Sequence, residues 1–165
     1  YKNHMGAIEI YNRFLEKYKK YEIKLLFVGR DEDNIKDQLF RKSNDLNIEK
    51  AIHYIDFVDI DDIVHLLNHS KALLFPSTME TFGKPIVEAM VSLTPVVASD
   101  IEPINELTVD NLLLAHPTDI DNFSNKLYNA LNVDSQYLLK AKSKAKYFTY
   151  DNHFKNIINT FEKLN

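Results

Sequence analysis

Five short apolar runs, separated by stretches with helical spacing, set the kind of fold this chain can adopt. Residues 23–28 (IKLLFV) end at Gly29, residues 51–58 (AIHYIDFV) alternate and are rich in β-formers, and residues 72–75 (ALLF), 95–98 (PVVA) and 112–115 (LLLA) are brief and almost wholly apolar. Such runs read as strands, the first of them as one buried on both faces in a parallel sheet. Residues 34–46, 61–67, 85–91 and 104–109 read as helices between them. An opening helix is marked by the stripe Met5, Ile8, Tyr11, Phe14, Leu15 and Tyr18, and begins so early that something is expected to precede it in a longer protein. From Asp119 the chain reads as helical to its end, with breaks near 132–134 and 150–151. The alternation predicts an α/β fold, a parallel sheet with right-handed crossovers and helices on both faces. Ligands of such sheets bind beyond the carboxyl ends of the strands. Gly29, residues 77–83 and Ser99-Asp100 all follow strands directly.

Glycine is scarce, with three in 165 residues, at positions 6, 29 and 83. A glycine kept in so poor a background points to a backbone requirement. Gly83 sits in Glu80-Thr81-Phe82-Gly83-Lys84-Pro85-Ile86-Val87-Glu88, where two carboxylates flank a glycine turn and a proline able to open a helix. The first-turn N–H groups of that helix lack intrahelical partners, and the positive dipole end makes them an anion site. Glu88 lies one turn in and leans back toward the N-terminus. Two carboxylates beside an anion site repel it unless they serve hydroxyls, and a carboxylate can accept from two vicinal hydroxyls. Such an edge suits a sugar, a ribose and a diphosphate together. From the spacing alone, a plain strand–loop–helix turn with one surface and one capping glutamate stays open.

The longer string, residues 73–107, narrows this. Its Pro76-Ser77, Glu80, Phe82-Gly83, Pro85, Glu88-Ala89-Met90, Pro95-Val96-Val97, Ser99-Asp100 and Glu106 resemble the donor-binding region of the retaining glycosyltransferases of family 4. With weaker flanking matches, the resemblance covers nearly the whole chain. It implies a Rossmann-like domain, one half of the two-domain GT-B fold. Residues 1–165 would then be a single donor-nucleotide-sugar-binding domain, the C-terminal half of a longer enzyme whose N-terminal acceptor domain lies outside it. The resemblance implies that Glu80 contacts the donor sugar and that the backbone around Phe82, Gly83 and Lys84 holds sugar and diphosphate. Glu88 would bind the ribose, Phe57-Val58 would face the nucleobase, and Gly29 would lie at the donor edge. Lys2 would neutralise the leaving diphosphate. The substrates implied are a nucleotide sugar and a glycan or lipid-linked acceptor, with no cofactor. The family usually has glycine at the place of Leu93, often at that of Asp56, and a glycine pair where Ile101-Glu102-Pro103 stands. The presence of Asp56 and Leu93 in place of the usual glycines keeps a degenerate domain used for assembly open, and another GT-B-like enzyme such as a sugar-nucleotide epimerase is a further alternative.

Other features have plainer readings. A formal charge of −4 argues against a nucleic-acid polymer as partner. The lack of cysteine excludes disulfides and thiolate metal sites within this chain and fits a reducing, cytoplasmic setting. Peripheral association with a membrane stays open for the longer protein. No metal site is expected: His65 and His69 read as a helix-surface pair, while Asp59-Ile60-Asp61 and residues 31–33 read as helix-capping loops. Tyr147, Phe148, Tyr150 and Phe154 read as an aromatic cluster for core or domain contact.

Overall fold

A computed structural model of the chain describes residues 1–31, 34–109 and 113–148. Glu32, Asp33 and Leu112, the break expected near 150–151, and the aromatic residues Tyr150 and Phe154 lie outside the described residues. The elements run α1 (His4–Tyr18), β1 (Leu25–Val28), α2 (Ile35–Asp45), β2 (Ile52–Ile55), α3 (Ile60–His69), β3 (Leu73–Phe75), α4 (Lys84–Val91), β4 (Val96–Ser99), α5 (Ile104–Leu107), β5 (Leu114–Ala115), α6 (Ile120–Ala130) and α7 (Ser135–Ala145). All strand pairs among the described residues are parallel. The α/β architecture with helices on both faces is therefore as the alternation predicts.

Period-two alternation sorts the core into layers. On one face of β4, Val97 meets Ile10 of α1 and Phe123 of α6. On the other, Val96 and Ala98 meet Ile86, Ala89 and Met90 of α4, with Ala141 and Ala145 of α7. Helix α1 also packs Tyr11, Phe14 and Leu15 over Leu25, Phe27 and Ile52, so it spans both groups of strands. Phe14 and Phe123 are fully buried, each contributing roughly 2–3 kcal/mol by area removed from water. Asn3 starts α1: it adopts the left-handed conformation and accepts the Gly6 N–H on its side-chain oxygen.

The sheet differs from the expectation in one respect. It falls into a two-stranded part, β1-β2, and a three-stranded part, β3-β4-β5. Strand β1 is accordingly not buried on both faces; residues 25–27 are half-buried and Val28 is 42% exposed. Its sequence suits a central strand, but an unpaired edge leaves its side chains partly in water.

Leu93, where glycine was expected, holds φ 58. This left-handed turn lets α4 pass into β4, with the Leu93 N–H donating to the Met90 carbonyl. The conformation costs a side-chain-bearing residue roughly 1–2 kcal/mol, whereas glycine there would lose about 0.5–1 kcal/mol in chain entropy. Leu93 is 38% exposed, so little packing is at stake. Leu93→Gly is expected to be neutral to stabilising, by up to about 1 kcal/mol, read from the urea midpoint at unchanged slope.

Candidate functional site

The sheet carries its polar loops at the carboxyl ends of the strands. Strand β3 stops at Pro76, and the loop beyond it returns Glu80 toward the opening residues. Lys2 Nζ lies 3.1 Å from Glu80 Oε1, joining segments 78 residues apart. The Glu80 side chain is only 8% exposed, so its charge is held by partners rather than by water. Ser77 Oγ, itself buried, is the second donor, at 3.2 Å. The Lys2 ammonium also lies 5.4 Å from the centre of the Phe75 ring.

Gly83 caps α4 with φ 90 and ψ 46 and no side-chain cap. Helix α4 starts at Lys84, one residue earlier than expected, which makes Pro85 its second residue. Pro85 has no N–H, and Ile86 donates its own to the Gly83 carbonyl at 2.9 Å. The donors left at this helix mouth are the backbone N–H groups of Phe82, Gly83 and Lys84, which find no partner among the described residues. Glu88 stands one turn along, 3.4 Å from Lys84 Nζ. That pair is solvated and contributes little to stability.

Gly29 and Phe57-Val58 form a second group at the ends of β1 and β2. Gly29 donates its N–H to the Ile55 carbonyl and accepts from the Tyr54 hydroxyl. The space where a Gly29 side chain would stand is open, with nothing within 4 Å. Phe57 is 67% exposed, and the Arg30 guanidinium lies 5.3 Å from its ring centre. The opening segment links the two groups: the His4 ring meets Phe27 of β1 edge-on, while Asn3 Nδ2 donates to the Pro76 carbonyl beyond β3 at 3.1 Å. Thus Lys2 and Glu80 touch, and Glu80, Gly83 and Glu88 share one strand–loop–helix unit. Gly29, Phe57 and Val58 lie across the opening segment from them, at the same edge.

Residues 1–148 match the family model described as glycosyl transferases group 1. The chain belongs to this family. Among relatives, it is 29% identical over 99% of its length to the O-antigen chain mannosyltransferase B of Escherichia coli, of which it covers 43%. It therefore spans less than half of that relative's length. Among solved structures, a S. aureus TarM variant crystallised with Fondaparinux, alpha-GlcNAc-glycerol and UDP superposes with a TM-score of 0.83 at 23% identity, over 97% of this chain and 33% of that one. The C-terminal domain of the group 1 glycosyl transferase LpcC from Francisella tularensis gives 0.69 at 25% identity, over 87% and 75%.

Within this group 1 transferase domain, three further residues build the edge. Asn3 ties the start of α1 to the end of β3, and its place before a helix was a readable capping signal. Ser77 was part of the motif, but nothing in the spacing showed that its hydroxyl serves Glu80. Arg30 stacks on Phe57 through tertiary proximity alone. No helix among the described residues is long and apolar enough to cross a membrane.

His4 belongs to the same edge. Burial lowers its pKa from the ordinary 6.5, with the positive charge of Lys2 adding to the effect. The folded state thus favours the neutral ring. The stability this contributes is fully present above about 6.5 and is lost as pH falls through the lower, folded-state value. A proton NMR titration is expected to give His4 a midpoint below 6.5; a midpoint above it would contradict the described environment.

Proposed function

We propose that this chain is the donor-binding, C-terminal half of a longer glycosyltransferase that moves a hexosyl group from a nucleotide sugar to a glycan or lipid-linked acceptor, with retention, as in family 4. The observation that carries this reading is the Lys2–Glu80 contact beside the mouth of α4. It sets a cation, a carboxylate and free backbone N–H groups next to one another, which is what a sugar diphosphate needs. In this reading Glu80 orients the sugar through its hydroxyls. The N–H groups of Phe82, Gly83 and Lys84 hold the sugar and diphosphate. Lys2 stabilises the negative charge that grows on the leaving phosphate. Glu88 accepts from the ribose hydroxyls, and the Phe57-Val58 segment near Gly29 receives the base. These groups supply the phosphate's counter-charge without a metal or a cofactor. The acceptor and any acceptor-side groups belong to the remaining half of the protein.

Similarity to an O-antigen mannosyltransferase makes a nucleoside-diphosphate mannose the first donor to test, and the UDP in the TarM structure makes UDP-sugars the second. A reading as a decayed binding module draws on the replaced glycines at Asp56 and Leu93. That argument weakens, because Leu93 keeps the left-handed turn that a glycine would supply. The experiment is a donor screen on the full-length protein, with turnover as readout. Alongside it, Glu88→Ala is expected to weaken nucleoside-diphosphate binding about tenfold, or about 1.4 kcal/mol, by calorimetry. Unchanged affinity would remove Glu88 from the ribose site, and absence of turnover with every nucleotide sugar would favour the binding module.

A further inference from the structure

On spacing alone His65 and His69 are a helix-surface pair; their geometry on α3 carries more. Both residues are exposed. Their ring centres lie 4.3 Å apart, with the planes inclined by 36°. His69 Nδ1 stands 2.8 Å from the His65 carbonyl oxygen. A carbonyl only accepts, so Nδ1 carries a proton and the neutral ring keeps its lone pair on Nε2. Metal-bound histidines show the same arrangement, with one nitrogen on the ion and the other donating to a backbone carbonyl. The His65 ring makes no hydrogen bond among the described residues and has the His69 ring as its neighbour. Either of its nitrogens can therefore turn toward the point that His69 Nε2 faces.

The turn beneath the pair is held in place. Ser70 donates its N–H to the Leu67 carbonyl and its hydroxyl to that of Leu66. Thr94, ahead of β4, donates its hydroxyl to the Leu67 carbonyl at 2.7 Å. The C-terminal end of a helix also carries the negative end of its dipole, which favours a cation. Asp61, one turn ahead of His65, adds a negative charge, and Lys71, two residues past His69, a positive one. No third His, Cys, Asp or Glu completes a cluster among the described residues, so the remaining positions of an ion there fall to water.

We propose that His65 and His69 chelate one divalent transition-metal ion across the last turn of α3, through Nε2 of His69 and a ring nitrogen of His65. Imidazole pairs suit copper(II), nickel(II) and zinc(II), with copper(II) held most tightly. The ion acts as a clip. Residues four apart meet on one face only while the turn is helical, so binding and helicity are linked. Helix α3 has no buried residue, so it has little packing of its own to oppose opening. The pair lies just ahead of β3, whereas the donor loops follow the strands, so this site is separate from the donor site and does not depend on that reading.

The test is NMR of the isotopically labelled full-length protein at pH 7.5. Before metal is added, the ring nitrogen shifts of His69 are expected to report the Nδ1–H tautomer. Zinc(II) is then expected to shift both rings with one midpoint and one equivalent, and copper(II) to broaden the same signals at lower concentration. His65→Ala and His69→Ala are each expected to lower zinc affinity at least about tenfold. With free zinc(II) at about 100 times its Kd, exchange of the His69 and Ser70 amides through local opening is expected to slow at least about tenfold. An Nε2–H tautomer at His69 would overturn the proposal, as would zinc affinity within about threefold of wild type in either variant. Shifts of both rings with amide exchange unchanged would overturn it by showing that each ring binds ions on its own.

Discussion

Glu80→Gln in the full-length protein is expected to lower the rate of sugar transfer by about 100- to 1000-fold, the range seen when one preorganised electrostatic contact is removed from an active site. The substitution keeps the volume of the side chain and can still accept from Ser77. It removes the charge that holds Lys2 at 3.1 Å, in surroundings where the carboxylate is 8% exposed and water cannot replace it. The outcome should split by ligand. Affinity for the whole nucleotide sugar falls or its turnover collapses, while affinity for the bare nucleoside diphosphate is kept or rises, because Lys2 is freed for phosphate. Transfer within about threefold of wild type, measured at saturating donor, would contradict the assignment of Glu80 to the sugar.

Gly83→Ala tests the backbone of the same site. A β-carbon there would lie 3.1 Å from Leu107 Cδ1 and 3.3 Å from Ile86 Cδ1, both ends of flexible side chains that can yield. The larger penalty is conformational, since φ 90 is a strained value that residues with a side chain rarely adopt. The expected cost is about 1–3 kcal/mol in stability. Relaxing that strain would turn the N–H groups of Phe82, Gly83 and Lys84, so donor affinity is expected to fall about 10- to 100-fold even where the protein remains folded. Urea unfolding and calorimetry measured in parallel separate the two effects. Lost stability with donor affinity unchanged would show that Gly83 serves the fold alone.

Much of the architecture was written in local patterns. The runs ALLF and PVVA became β3 and, shifted by one residue, β4, and the alternation of apolar runs with helical segments gave parallel strands covered on two sides. The motif placed Gly83 at the mouth of α4 because a glycine before a proline is a local signal for a helix start. What local patterns could not show was pairing. The sequence of β1 has the composition of a buried central strand, yet its exposure depends on which neighbour stands at its second edge. Helix α3 shows the same effect, with apolar residues at helical spacing and none of them buried. The Lys2–Glu80 bond was equally hidden. Family resemblance named both residues, but only the folded chain shows that they meet and that Ser77 joins them. Leu93 concealed a left-handed turn that glycine would have announced.

The account rests on a single donor site at the edge where the opening segment meets the mouth of α4. Its most direct test is to titrate the labelled full-length protein with a nucleoside diphosphate and follow the backbone amide resonances. The expected result is a set of saturable shifts led by Gly83 and Lys84, with Lys2, Phe57 and Glu88 moving at the same midpoint. Saturable shifts confined to another face, with Gly83 and Lys84 unmoved at millimolar ligand, would contradict it.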